Sequence, residues 1–225
     1  SMSGDKLLLI YALDLIEKYE GTGVKPVVVS EVKCSQVLFD TINKEGGEAI
    51  MCRTGHGYIK AKMKETNALL GGEMSGHTFF KDKYYGFDDA VYAGCRIIEI
   101  LSKNKKQNPS FKIEDLLTPF NKVFTSQEVR LECPNELKKP ALEMLKGYVN
   151  NHKDMFGSEI KDIITIDGMR VVFDGGFALI RQSNTEPVFT LRFEAKTQDE
   201  CERFENVMVS QIKKCIEESS KEKVQ

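Results

Sequence analysis

The sequence predicts an α/β domain built on a mostly parallel sheet, followed by a smaller α+β domain with an antiparallel sheet. Two observations carry this. Up to residue 124, helical apolar spacing alternates with short β-branched runs, as strand–helix–strand units require. Beyond it, strands crowd together across Asp-Gly turns between two amphipathic helices. The expected boundaries are 3–124 for the first domain and 125–221 for the second.

In the first domain, Leu9, Leu13 and Ile16 recur at helical spacing, so Asp5 to Tyr19 reads as a deeply buried helix, ended by Gly21 and Gly23. Pro26-Val27-Val28-Val29 is a buried strand. A helix follows over Gln36–Lys44, closed by Gly46-Gly47, then a strand over Ala49–Cys52 and a helix over Gly57–Thr66. Leu69-Leu70 begins the next strand. The helix over Phe87–Lys103 is the clearest. Phe87, Val91, Gly94, Ile97, Ile98 and Leu101 share a face, with Asp88 as cap. A polar loop through Pro109 and a short helix over Ile113–Phe120 complete the domain.

In the second domain, Val129, Leu131 and Cys133 alternate with polar residues, as in a half-buried strand. Leu137, Ala141, Leu145 and Tyr148 mark a helix with Pro140 in its first turn. Asp167-Gly168 and Asp174-Gly175-Gly176 are turns between short strands. Phe189, Leu191, Phe193 and Ala195 line one face of a long strand. Cys201, Phe204, Met208, Ile212 and Cys215 stripe a final helix, and Lys221–Gln225 reads as a frayed tail.

Composition narrows the functional classes. The formal net charge of the 225 residues is −2, so no global field draws the protein to nucleic acid. The apolar run Leu7–Leu13 is too short to span a bilayer, and no signal peptide is visible. The six cysteines form no C-x-x-C pair, which reads as structural thiols in a reducing, cytoplasmic setting. Cys34, Cys52 and His56 match no closed zinc spacing, so no metal site is expected. Ser1-Met2 resembles the remnant of a cleaved tag.

Four segments carry candidate chemistry. Arg181-Gln182-Ser183-Asn184-Thr185-Glu186-Pro187 lies between two strands. Its Arg offers a planar fork for phosphate, and Ser183, Asn184 and Thr185 add short donors. An ordinary polar hairpin has the same composition. Gly71-Gly72-Glu73-Met74-Ser75-Gly76-His77 sets a carboxylate and a hydroxyl two residues apart, suited to adjacent sugar hydroxyls. Its glycines would let a ligand approach the backbone, although a glycine-rich turn with a solvated Glu reads the same way. Thr54-Gly55-His56-Gly57 places a second histidine in a glycine loop, for anion binding or proton transfer, or simply at the surface. Lys33 follows a strand end, where α/β sheets bind ligands and where solvated lysines are also common.

Together these segments resemble the α-D-phosphohexomutases. Gly72-Glu73-Met74-Ser75-Gly76-His77, with Phe79-Phe80 and Tyr85-Gly86-Phe87-Asp88-Asp89, is similar to the family's sugar-specificity loop and following helix, in the phosphomannomutase/phosphoglucomutase version. Arg181–Pro187 is similar to its phosphate-binding loop, and Val32-Lys33-Cys34 and Thr54-Gly55-His56 also match. The resemblance covers the third and fourth domains of a four-domain enzyme, the third Rossmann-like.

The resemblance implies roles. Glu73 and Ser75 contact the sugar O3 and O4 hydroxyls, while Lys33 and His56 orient substrate. His77 assists proton transfer. Arg181, Ser183, Asn184 and Thr185 hold the phosphate that is not reacting. The implied partners are glucose or mannose 1- and 6-phosphates and an N-terminal half of the same protein, with no nucleic acid and no membrane. That half is expected to carry the phosphoserine and the Mg²⁺ loop, with hexose 1,6-bisphosphate as intermediate. The alternative is a stand-alone phosphosugar-binding module without catalysis.

Overall fold

The computed structural model describes residues 2–222, so the tag-like Ser1 and the last three residues of the expected tail lie outside it. The chain divides into two compact units, Ser1–Lys122 and Val123–Gln225.

The first unit runs α1 (Gly4–Tyr19), β1 (Val27–Glu31), α2 (Gln36–Lys44), β2 (Glu48–Cys52), α3 (His56–Thr66), β3 (Leu70–Gly72), β4 (Thr78–Phe80) and α4 (Ala90–Gln107), ending in a 3₁₀ stretch over Ile113–Lys122. The sheet order is β2-β1-β3-β4. Strand β1 pairs in parallel with both β2 and β3, and β4 turns back antiparallel on β3. Helices α1 and α2 share one core with Leu70 and Phe80, whereas Ile59 and Met63 of α3 pack into a separate one with Val29 and Phe79. The chain therefore adds β2 on one side of β1 and β3 on the other, a switch point of the kind at which open α/β sheets bind ligands beyond the strand ends.

Ser35 caps α2 by accepting the Val37 N–H at 3.1 Å, and α1 is buried on nearly every side of its middle turns. Helix α4 departs from expectation in start and in facing. It begins at Ala90, because Asp89 rather than Asp88 accepts the Tyr92 N–H, at 2.9 Å. Asp88 is instead in an antiparallel bridge with Phe79, which holds it extended. The expected apolar face is largely outward: Phe87, Val91 and Ile98 are 61, 78 and 64% exposed. Arg96 turns inward in their place, since its guanidinium bonds Asp14 at 3.0 Å and lies over the Phe80 ring.

The second unit runs β5 (Phe124–Thr125), β6 (Val129–Glu132), α5 (Asn135–Asn151), β7 (Asp162–Ile164), β8 (Met169–Phe173), β9 (Gly176–Gln182), β10 (Val188–Ala195) and α6 (Gln198–Glu222). Strands β7, β8, β9 and β10 form an antiparallel meander, and β10 also pairs with β6 and β5. Phe189, Leu191, Phe193 and Ala195 meet Leu145 of α5 and Phe204, Met208 and Ile212 of α6 in one core. Both Asp-Gly turns need positive φ, with Gly168 at +80° and Gly175 at +77°. Pro140 lies inside α5 and not in its first turn, because the helix already starts at Asn135. Lys221 and Glu222 still belong to α6 rather than to a frayed tail.

Candidate active site

Three of the four candidate segments lie at one edge of the first sheet. Lys33 follows the end of β1, and Thr54-Gly55-His56 follows the end of β2. Glu73, Ser75 and His77 occupy the turn from β3 to β4. These are the carboxyl ends of three adjacent parallel strands, and Lys33 and Glu73 flank the switch point between β1 and β3.

The turn after β3 has a fixed backbone. The Glu73 N–H donates to the His77 carbonyl at 2.9 Å, and the Gly76 N–H to that of Glu73 at 3.0 Å. The N–H of Gly4, at the start of α1, reaches the Met74 carbonyl at 3.2 Å, and a Cβ on Gly4 would sit 2.1 Å from the Glu73 oxygen. From β1, buried Glu31 accepts the Met74 N–H on Oε1 at 2.9 Å. Lys33 Nζ lies 3.7 Å from that same oxygen, so Glu31 ties two candidate segments together. Glu73 is buried and accepts the Ser75 hydroxyl at 3.2 Å, which brings the two proposed sugar readers together. The paired glycines serve packing rather than ligand approach. A Cβ on Gly71 would meet Met63 Sδ at 2.5 Å, and one on Gly72 would meet Leu8 Cδ1 at 2.9 Å.

His77 is exposed, and its Nδ1 lies 2.6 Å from Asp88 Oδ2. Ser75, His77, Asp88 and Asp89 line an open depression of about 380 Å³. Next to it, the Tyr84 hydroxyl bonds Asp89 at 2.5 Å. That hydrogen bond holds the Asp89 carboxyl below the usual carboxylate range and the Tyr84 phenol above its own. His56 is exposed as the first residue of α3, behind Gly55 at φ +126°.

The fourth segment belongs to the second unit, in the turn between β9 and β10. Arg181 is 6% exposed, and its Nε donates to Asp167 Oδ2 at 3.0 Å. Its Nη1 reaches Thr190 Oγ1 at 3.5 Å. Ser183 Oγ accepts the N–H groups of Thr185 and Glu186 at 3.4 and 3.2 Å, and its own hydroxyl hydrogen remains to donate. Asn184 and Thr185 are exposed. Beneath the turn lies buried Lys138 of α5, whose ammonium donates to the Ser183 carbonyl at 3.0 Å and to the Glu186 carbonyl. Burial pushes the nearby Cys133 thiol up, against the opposing pull of that ammonium.

Sequence reasoning missed Glu31, Asp88, Lys138 and Asp167 as supports of these loops. Asp167 was visible only as a turn residue and Asp88 as a helix cap, and nothing in the sequence singles out Glu31 or Lys138. Among the described residues, no three His, Cys, Asp or Glu side chains converge as a metal-binding group. Nor is any helix there long and apolar enough to cross a membrane.

Comparison with known proteins places these loops in context. The family model for the phosphoglucomutase/phosphomannomutase alpha/beta/alpha domain III matches residues 3–120, and that for the C-terminal domain of the same family matches residues 128–211. The phosphomannomutase/phosphoglucomutase of Pseudomonas syringae pv. tomato is 40% identical over 210 residues, covering 93% of this chain and 42% of its own length. A family protein of known structure from Burkholderia thailandensis superposes with a TM-score of 0.78 at 33% identity, over 95% of this chain and 42% of its own. The N-acetylphosphoglucosamine mutase of Aspergillus fumigatus shares the fold alone, with a TM-score of 0.67 at 13% identity over 95% of this chain and 44% of its own in a complex with glucose 1,6-bisphosphate. Another structure of that enzyme contains GlcNAc-6P and magnesium. The chain thus spans about two fifths of the length of the relatives it matches. With both of its units matched in order, the chain belongs to the phosphoglucomutase/phosphomannomutase family, of which it carries domain III and the C-terminal domain.

Proposed function

We propose that this chain is the sugar- and phosphate-binding part of an enzyme that interconverts hexose 1-phosphates and hexose 6-phosphates. The phosphoryl group passes through a serine of the longer protein and a hexose 1,6-bisphosphate that turns around in the site. The observation that carries the reading is the gathering of Lys33, His56, Glu73, Ser75 and His77 at the ends of three adjacent parallel strands, in a chain of this family.

Glu73 and Ser75, paired at 3.2 Å, accept and donate to the equatorial O3 and O4 hydroxyls. Lys33 and His56 orient the sugar phosphate, and His77 takes or returns a proton at the reacting oxygen. Arg181, Ser183, Asn184 and Thr185 hold the phosphate at the other end of the sugar. Because either end of a bisphosphate must fit there, the site reads a phosphate and not its neighbours on the ring. The described residues offer no three-ligand set that fits Mg²⁺, so the ion belongs, in this reading, to the rest of the longer protein. The substrates are glucose and mannose phosphates, and the setting is cytoplasmic.

The test is a mutase assay with glucose 1-phosphate and mannose 1-phosphate, on this chain alone and on the longer protein that contains it. The expected result is turnover by the longer protein and none by the chain, which lacks a covalent phosphoryl carrier. Turnover by the purified chain, or none by the longer protein, overturns the reading.

A further inference from the structure

We propose that Asp88 is a positioning residue that fixes the tautomer of His77 and thereby presents a bare Nε2 to the substrate. Its chemistry rests on the mutase reading above, and its geometry on the contacts of the two side chains. His77 Nδ1 lies 2.6 Å from Asp88 Oδ2, a distance at which Nδ1 must carry the hydrogen, because a carboxylate only accepts. In the neutral ring the other nitrogen, Nε2, then has a free lone pair.

The backbone explains why the pair forms. Asp88 sits opposite Phe79 in an antiparallel bridge. Directly opposed residues share a face, and so do residues two apart on one strand, which puts Asp88 diagonal to His77 on the same side. Both anchors are firm. Phe79 is fully buried, and Asp89, the next residue, is held by the N–H of Tyr92 and the hydroxyl of Tyr84. The side chains themselves are 53 and 39% exposed, and an ion pair so exposed adds little to folding. Its consequence is therefore orientation. The pair lines the same depression as Ser75, whose hydroxyl bonds the sugar-reading Glu73.

The chemical step is simple to balance. A sugar hydroxyl oxygen attacks the phosphorus of a phosphate monoester and forms the new O–P bond. Its proton passes to Nε2, and the former bridging oxygen leaves with the electron pair of the bond that breaks. In reverse, Nε2 returns the proton. An Nε2–H tautomer could not accept it.

The experiment is a long-range ¹H–¹⁵N correlation of the imidazole rings in this chain, with His77→Gln assigning the signal among the three histidines. Neutral His77 is expected as the Nδ1–H form. Asp88→Ala should return it to the Nε2–H form that free histidine prefers, while Asp88→Asn, which keeps an accepting oxygen, should largely preserve Nδ1–H. In the longer enzyme, Asp88→Ala should lower kcat by at least about 10-fold with KM little changed, and Asp88→Asn should recover much of it. An Nε2–H ring in the unaltered chain, identical tautomers with and without the carboxylate, or an unchanged kcat would each overturn the proposal. If the tautomer shifts as expected but the unaltered longer enzyme turns over no hexose phosphate, the mutase reading falls and the orientation of His77 by Asp88 stands.

Discussion

Asp167 holds the Nε edge of Arg181 across the β9–β8 hairpin, with both side chains less than a tenth exposed. A phosphate at the proposed site would therefore meet a guanidinium plane already fixed. A fork set in advance gives up less entropy on binding than a free one.

Arg181→Ala is therefore expected to weaken binding of a hexose phosphate to the longer enzyme by roughly 10- to 100-fold, the range of a lost charged hydrogen bond. Arg181→Lys should lose less, since it keeps the charge without the fork. Asp167→Ala should destabilise the second unit by about 3 kcal/mol, because it strands a buried cation. Denaturant unfolding and KM measurements check both. Equal KM effects of the Ala and Lys changes would remove Arg181 from the phosphate site.

Lys138→Met should release the carbonyls of Ser183 and Glu186 and loosen the turn between β9 and β10. The expected signs are faster amide exchange at residues 183–186 and a loss of roughly 1–3 kcal/mol in stability. Unaltered exchange there would show that the turn holds its shape without the ammonium.

Glucose and mannose phosphates should both be accepted by the longer enzyme and galactose phosphate rejected, by roughly 100-fold or more in kcat/KM. Glucose and mannose differ only at C2, and both present equatorial O3 and O4. Galactose turns O4 axial and leaves one of Glu73 and Ser75 unpaired. Equal turnover of galactose 1-phosphate would end the assigned role of this pair, and strong preference between glucose and mannose would place a C2 reader elsewhere.

Acid should weaken the first unit through Asp82. Burial favours its neutral form, but hydrogen bonds from Lys18 and Tyr19 and the charge of Arg96 outweigh it, so its carboxyl titrates below the ordinary 3.8. A depressed carboxylate contributes its full stability above that ordinary value and loses it as pH falls through the depressed one. The stability gap between the unaltered chain and Asp82→Asn should accordingly be constant near neutrality and shrink below about pH 4. A gap that stayed constant into acid would contradict this assignment.

Local signals were legible and distant partners were not. Helix α2 could be read to the residue, because Gly46-Gly47 close it within its own segment. The stripe of α6 was equally clear, since every member from Cys201 to Cys215 meets one core. The facing of α4 was hidden, because what turns Arg96 inward is Asp14, 82 positions away. The short strands β4 and β5 carry too few residues to show a period. At the site, the side chains proposed to touch ligand sit in compact motifs that a local reading can pick out. Their supports, Glu31, Lys138 and Asp167, are scattered through other elements, and nothing in their own neighbourhoods marks them.

The frame of the turn after β3 is made almost wholly by main-chain groups: Gly4 to Met74, Glu73 to His77, Gly76 to Glu73. Two side chains add to it: the Glu31 carboxylate accepts from the Met74 N–H, and the Thr78 hydroxyl donates to the Gly76 carbonyl. Residues 73 and 75 contribute their side chains to none of these bonds. Replacement at those two positions would therefore change the groups proposed to read the sugar while the peptide path stays where it is. If the proposed sugar reading holds, a lineage carrying this frame would drift among hexose substrates by single replacements, with no need to evolve a new loop each time.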